Sequence, residues 1–167
     1  MIDAAIGTRH SVTAACFRRR PRPGARRSRF AQARTRLFSL VATVAVGGVA
    51  GAEARFGLHA ALPHDSTQLP LATLLVNLSG CLLIGMLMVL VTELVDAHPL
   101  IRPLLGIGVL GGYTTFSTYT VDVITLAHAG RWTLAVTYLV LTPVLAVLAA
   151  AAGAAATRMI AVHRGRP

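Results

Sequence analysis

Four long apolar runs separated by short polar breaks organise this chain. They extend roughly from Leu37 to Leu58, Leu71 to Leu94, Leu100 to Ala127 and Trp132 to Thr157. About 20 mainly apolar residues let a helix cross a bilayer, and each run is long enough. Pro63, Pro70, Pro99 and Pro103 fall at or near the ends of the runs, where a missing backbone donor is tolerated. The pattern predicts an all-α integral membrane protein of four transmembrane helices. One compact domain, residues 37–157, lies between an Arg-rich, disordered N-terminal tail, 1–36, and a basic C-terminal tail, 158–167.

The third run is unlike a lipid-facing helix at its middle. It reads Gly111-Gly112-Tyr113-Thr114-Thr115-Phe116-Ser117-Thr118-Tyr119-Thr120. Glycines loosen a helix, and a run of hydroxyls offers the backbone competing partners. In lipid, a broken backbone survives only where protein buries it or where it lines a polar cavity. Ions and small polar solutes bind at such breaks, so the pattern points to transport.

Composition agrees with a membrane domain: 54% of the 167 residues are hydrophobic and 13% charged. Charge adds an asymmetry. The basic residues are all Arg, and Arg9, Arg18, Arg19, Arg20, Arg22, Arg26, Arg27, Arg29, Arg34 and Arg36 precede the first run. Such a tail reads as a cytoplasmic, lipid-contacting arm. Nucleic-acid binding is disfavoured because only Phe17 and Phe30 interleave the arginines, and a secretory signal because no short apolar stretch leads to a cleavage site. An even number of spans puts both termini on one side, and the Arg distribution favours the cytoplasm. Arg131 runs against that assignment, whereas the loop from His59 to Leu69 holds Asp65 and no Arg. Cys16 and Cys81 fall in different environments, which argues against a disulfide. No metal-ligand cluster, nucleophile–base pair or phosphate-binding loop occurs, so an enzyme reading has no support.

Several polar residues sit inside the runs. Thr73, Asn77 and Cys81 recur at i, i+4 and i+8 and share one helix face. Asn77 has two readings: an interhelical hydrogen bond, or an amide donor to an anion in a pore. Glu53 and Arg55 close the first run, near enough to its end to reach the interface. Arg55 could also supply positive potential at an anion entrance. Glu53 is the acid a small proton-coupled multidrug exchanger would need, yet it lies late in the span beside Arg55. Phe116 and Tyr119, three apart, either pack or present electropositive ring edges to an anion. In the last run, Tyr138 and Thr142 are i, i+4, and Pro143 frees the carbonyl of Leu139. Small residues, among them Gly47, Gly48, Gly51, Gly80, Gly85 and the alanine run around Gly153, supply faces for close contact. They point to an oligomer, unless they are spent packing the helices of one subunit.

Three linked motifs resemble the CrcB/Fluc fluoride channel family in order and spacing. They are Gly47-Gly48-x-x-Gly51-Ala52-x-x-Arg55-Phe56, Thr73-Leu74-x-Val76-Asn77-x-x-Gly80 and Gly108-x-x-Gly111-Gly112-x-Thr114-Thr115-Phe116-Ser117-Thr118. The resemblance covers about Leu37 to Thr157. It implies a bacterial inner-membrane channel that exports fluoride passively and assembles as an antiparallel, dual-topology-type dimer in membrane lipid, without nucleic acid. It places Asn77, Phe116, Tyr119, Thr142 and Thr73 along the fluoride path and Arg55 near its vestibule. It gives Gly111 and Thr114 backbone carbonyls that hold a structural, non-transported Na+. Tyr119 stands where the family usually has Phe, and Asp122 where it has Glu. The Arg-rich tail departs most, because dual topology needs a weak charge bias. A non-transporting structural membrane subunit is a third class of reading beside channel and exchanger.

Overall fold

The computed structural model describes residues 23–94, 98–163 and 165 of the chain. The chain divides into one unit of residues 1–35 and a second, Arg36–Pro167, which carries the contacts and polar groups described below. Every regular element among the described residues is helical. In order they are α1 (Pro23–Ala61), α2 (Leu71–Val89), π1 (Leu90–Leu94), π2 (Arg102–Leu110), α3 (Gly111–Tyr113), α4 (Ser117–His128) and α5 (Trp132–His163). Cys16 and five of the ten tail arginines lie outside the described residues.

Among the described residues, three helical stretches are long and apolar enough to cross a membrane: Arg34–Ala61, Leu71–Leu94 and Trp132–His163. Two run further than the hydrophobic pattern indicates. The first starts at Pro23, where proline's fixed φ suits an opening turn and the Ala- and Arg-rich sequence after it propagates helix well. The last continues past Thr157 to His163, passing through Pro143. The expected third span is not one helix. π2 and α3 form one arm, α4 forms the other, and Thr114 between them is extended at φ −74° and ψ 154°. The break expected within Gly111–Thr120 therefore occurs, and it occurs at Thr114–Phe116.

α2 lies along α5, and α4 packs on α5 through a small core of Tyr119, Leu126, Ala135 and Tyr138. Most large apolar side chains instead face outward, among them Phe38, Val46, Phe56, Ile107 and Val147. An inverted distribution of this kind is expected when lipid replaces water around the protein.

Backbone contact rather than bulky packing joins the helices. A Cβ at Gly51 would overlap the Val109 carbonyl, and one at Gly47 would sit 2.6 Å from the Leu104 carbonyl. Gly112 meets the Gly48 carbonyl in the same way, so α1 rides directly on π2 and α3. On α2 and α5, Gly85 abuts the Ala150 carbonyl and Gly153 the Leu82 carbonyl. The small residues that pointed to an oligomer are thus largely spent within one protomer, and they do not by themselves argue for association. At one end, Arg158 on α5 clasps Glu93 on π1, with its Nη2 2.6 Å from Oε1. Both side chains are exposed, so the pair adds little to stability.

Gly51→Ala should lower stability by about 1–3 kcal/mol through overpacking against Val109. Gly57→Ala, on the same helix with open space around it, should stay within about 0.5 kcal/mol of wild type. Thermal unfolding of the two variants in detergent, side by side, checks the contrast.

Candidate functional site

The break between α3 and α4 is held open by one side chain. The Thr115 amide would bond the Gly111 carbonyl in an unbroken helix, but it donates to Asn77 Oδ1 at 2.8 Å. Asn77 Nδ2 in turn donates to the Thr115 carbonyl at 2.9 Å. A primary amide matches a peptide group donor for acceptor, so Asn77 on α2 pairs with this backbone as a strand neighbour would. Of its two readings, the interhelical hydrogen bond is made, and it uses both polar atoms. The next turn is diverted as well. The Thr118 amide would bond the Thr114 carbonyl, yet it donates to Thr115 Oγ1 at 3.2 Å. Thr115 itself is buried and also bonds the Thr118 hydroxyl at 3.0 Å.

These diversions leave the carbonyls of Gly111, Gly112, Tyr113 and Thr114 without helical donors among the described residues. Gly111 and Thr114 lose theirs to named competitors. Free carbonyl oxygens at a helix break suit a hard cation, so the donor chemistry fits Na+. One protomer's Gly111 and Thr114 would fill only part of a hard cation's oxygen shell. Gly111 is exposed, which leaves room for further ligands. Arg55 stands close by, its Nη1 3.5 Å from the Thr114 carbonyl, a long contact that places a positive charge beside the break.

A second group lies where α2, α4 and α5 meet. Thr73 is fully buried, Thr142 is 4% exposed and Tyr138 is 2% exposed. The two threonines neighbour the Tyr138 phenol, and the Asp122 carboxylate lies within electrostatic reach of it. Yet Thr73 Oγ1, Thr142 Oγ1, Tyr138 Oη and Asp122 Oδ2 complete no hydrogen bond of normal geometry. Buried unpaired hydroxyls are costly in lipid unless something polar visits them. The i, i+4 spacing of Tyr138 and Thr142 signals this row, although Tyr138 itself is not among the residues that the family resemblance implicates.

The two aromatic residues of the break have unequal surroundings. Phe116 is 79% exposed, whereas Tyr119 is 6% exposed. Their ring centroids are 5.7 Å apart and tilted, and Tyr119 lies 5.3 Å from Tyr138. Tyr119 therefore links Phe116 to the hydroxyl row. Glu53 is exposed on α1 and joins neither group. Tyr113 was given no role by sequence, but its hydroxyl meets Ser79 Oγ at 3.0 Å and ties α3 to α2. A cavity of about 750 Å³ lies elsewhere. It is an apolar groove lined by Leu83, Leu87, Leu105 and Ile160 and carries no polar chemistry of this kind.

A multi-pass helical membrane protein with a broken segment and a polar seam is the class that these features define. A family model described as "CrcB-like protein, Camphor Resistance (CrcB)" matches residues 42–154, and the chain belongs to that family. It is 45% identical over 121 residues to a Streptomyces coelicolor protein named fluoride-specific ion channel FluC 1, covering 72% of this chain and 79% of that one. A Thermobifida fusca protein named fluoride-specific ion channel FluC 2 is 47% identical over 121 residues, 71% of this chain and 89% of its own length. A Hydrogenobaculum protein named fluoride-specific ion channel FluC is 43% identical over 110 residues, 66% of this chain and 90% of its own.

Asn77→Ala should free the Thr115 amide to rejoin the Gly111 carbonyl and should cost about 1–3 kcal/mol from the broken pair. Asn77→Asp keeps an acceptor for the Thr115 amide but loses the donor, and should fall between alanine and wild type. Unfolding midpoints rank the three proteins. If sodium raises the midpoint of wild type, that rise should shrink in Asn77→Ala.

Proposed function

We propose that the chain is a passive, fluoride-selective channel of the bacterial inner membrane that lets fluoride leave the cytoplasm. The observation that carries the reading is the row of buried, unpaired hydroxyls of Thr73, Tyr138 and Thr142, reached past the aromatic pair at the break. Fluoride is small and strongly hydrated, so a selective path must replace its lost water with several donors. Hydroxyls supply strong ones, and the ring edge of exposed Phe116 supplies a weak electropositive contact that releases the ion again. Asn77 sits at the boundary of the two groups. Its Nδ2 has a second hydrogen beyond the one given to Thr115, and that hydrogen is available to an anion. Arg55 biases the approach toward anions. The names of the relatives support fluoride as the permeant ion.

The interrupted segment is read as a fourth crossing, made in two half-length pieces. The carbonyls of Gly111 and Thr114 are assigned to a structural Na+ that is not transported. Because two carbonyls underfill such a site, a second, oppositely oriented subunit supplies the rest, and the assembly is an antiparallel dimer. Ten arginines before the first span make one insertion direction strongly preferred. The second subunit is therefore an oppositely inserted homologue rather than an inverted copy of the same chain. Topology reporters fused to the C terminus should be active on one side of the membrane only; activity on both sides would show that the same chain inserts both ways.

In liposomes, the reconstituted protein should pass fluoride electrogenically and exclude chloride. Flux should survive Glu53→Gln and fall at least about tenfold in Phe116→Ala or Asn77→Ala, the loss expected when a barrier rises by about 1.4 kcal/mol. Folded protein without fluoride flux, both alone and with a co-expressed homologue, would defeat the channel reading. Flux that requires Glu53 and a proton gradient would replace it with exchange.

A further inference from the structure

α5 carries a defect that another helix repairs. Pro143 has no N–H, so the carbonyl of Leu139, four residues earlier, loses its helical donor. The Tyr119 hydroxyl on α4 donates to that carbonyl at 2.5 Å. The bond is part-buried at membrane depth, where water offers no substitute. We propose that Tyr119 is a positioning residue of the pore: its hydroxyl replaces the donor that Pro143 removed, and this fixes its ring between Phe116 and Tyr138. The inference rests on the channel reading for its consequence, but its geometry does not.

Two things follow from the bond. A phenol has one hydrogen to give, and Leu139 takes it. Tyr119 therefore meets an anion only through its ring edge, as a phenylalanine would, and adds no second strong donor to slow release. The ring is also held at both ends, by its backbone on α4 and by its hydroxyl on α5. That fixes the spacing between exposed Phe116 and the buried Tyr138 hydroxyl, with centroid separations of 5.7 and 5.3 Å on its two sides. The bond and the defect belong together: without Pro143, the hydroxyl would compete with an ordinary helical N–H.

A double-mutant cycle tests the pairing. In the Pro143 background, Tyr119→Phe should lower fluoride flux per folded channel about 3- to 10-fold, the range expected for losing one buried hydrogen bond. Pro143→Ala returns a helical donor to Leu139, displaces the Tyr119 hydroxyl and so should lower flux by a similar factor. In that background, Tyr119→Phe should then cost less than about twofold. Pro143→Leu provides the same N–H if the alanine variant does not fold. The fluoride-to-chloride flux ratio should drop alike in Tyr119→Phe, in Pro143→Ala and in the double variant, which loss of folded protein would not produce. Equal losses in both backgrounds, or no loss in either, would overturn the proposal. Unfolding midpoints read the same coupling without any transport. A protein with no flux but coupled midpoints would therefore sink the channel reading while sustaining the bond's role, and uncoupled midpoints would sink the bond's role whatever the flux.

Discussion

The pairing of Asn77 with the backbone of Thr115 is the interaction on which the rest of the molecule depends. A segment of glycines and hydroxyls in lipid has a strong tendency to close its own hydrogen bonds, because nothing outside will make them. Asn77 prevents closure by offering the Thr115 peptide group both a donor and an acceptor, at 2.9 and 2.8 Å. Once that amide is taken, the Gly111 carbonyl is released, Thr115 turns inward, and its hydroxyl claims the Thr118 amide. α4 then starts in a new direction. One side chain on a neighbouring helix sets where the helix stops, which carbonyls are freed and where Phe116 and Tyr119 stand.

For that pairing to form, α2 must hold its distance from the break, and glycine contacts set that distance. Gly80 stands against the Thr114 and Tyr113 side chains three residues after Asn77, where any Cβ would strike the Thr114 methyl. α1 supports the other side of the same arm through Gly47 and Gly51. Interhelical hydrogen bonds in lipid are individually modest, because the separated helices find other partners. Close backbone packing over many residues has to supply the remainder. The same economy explains why so few large side chains are buried, and why the buried ones gather where α4 crosses α5.

The sequence made the break legible because glycines and hydroxyls in an apolar run have no other common explanation. The carbonyl of Leu139 was legible for a similar reason: proline's missing N–H is a local fact that needs no fold. What sequence did not show was who answers these local defects. Asn77 kept two readings open because an amide serves a backbone and an anion equally well, and only the position of Thr115 separates them. Tyr119 looked like a departure from phenylalanine until Leu139 was seen opposite its hydroxyl. Three uninterrupted spans stand among the described residues, and the remaining apolar run is the one that glycines and hydroxyls marked as broken. Hydropathy measures the run from Leu100 to Ala127 as one apolar length and does not register that its middle is extended. Glycine faces were legible as contact surfaces, but periodicity does not say whether the contact lies inside a protomer or between two.

The two polar groups are best understood as separate because they satisfy opposite charges. Freed carbonyls present negative ends, and an anion would not rest against them unless a cation were already there. Ring edges present positive ends, and a hydroxyl can turn its hydrogen toward an anion. Arg55, beside Thr114, and Asn77, beside Thr115, lie on the seam between these fields. A bound cation at the break would deepen the positive potential felt at Phe116 without touching the anion. In a low-dielectric setting that effect reaches further than it would in water. Such a cation would offset the carbonyl dipoles that otherwise repel an anion approaching Phe116.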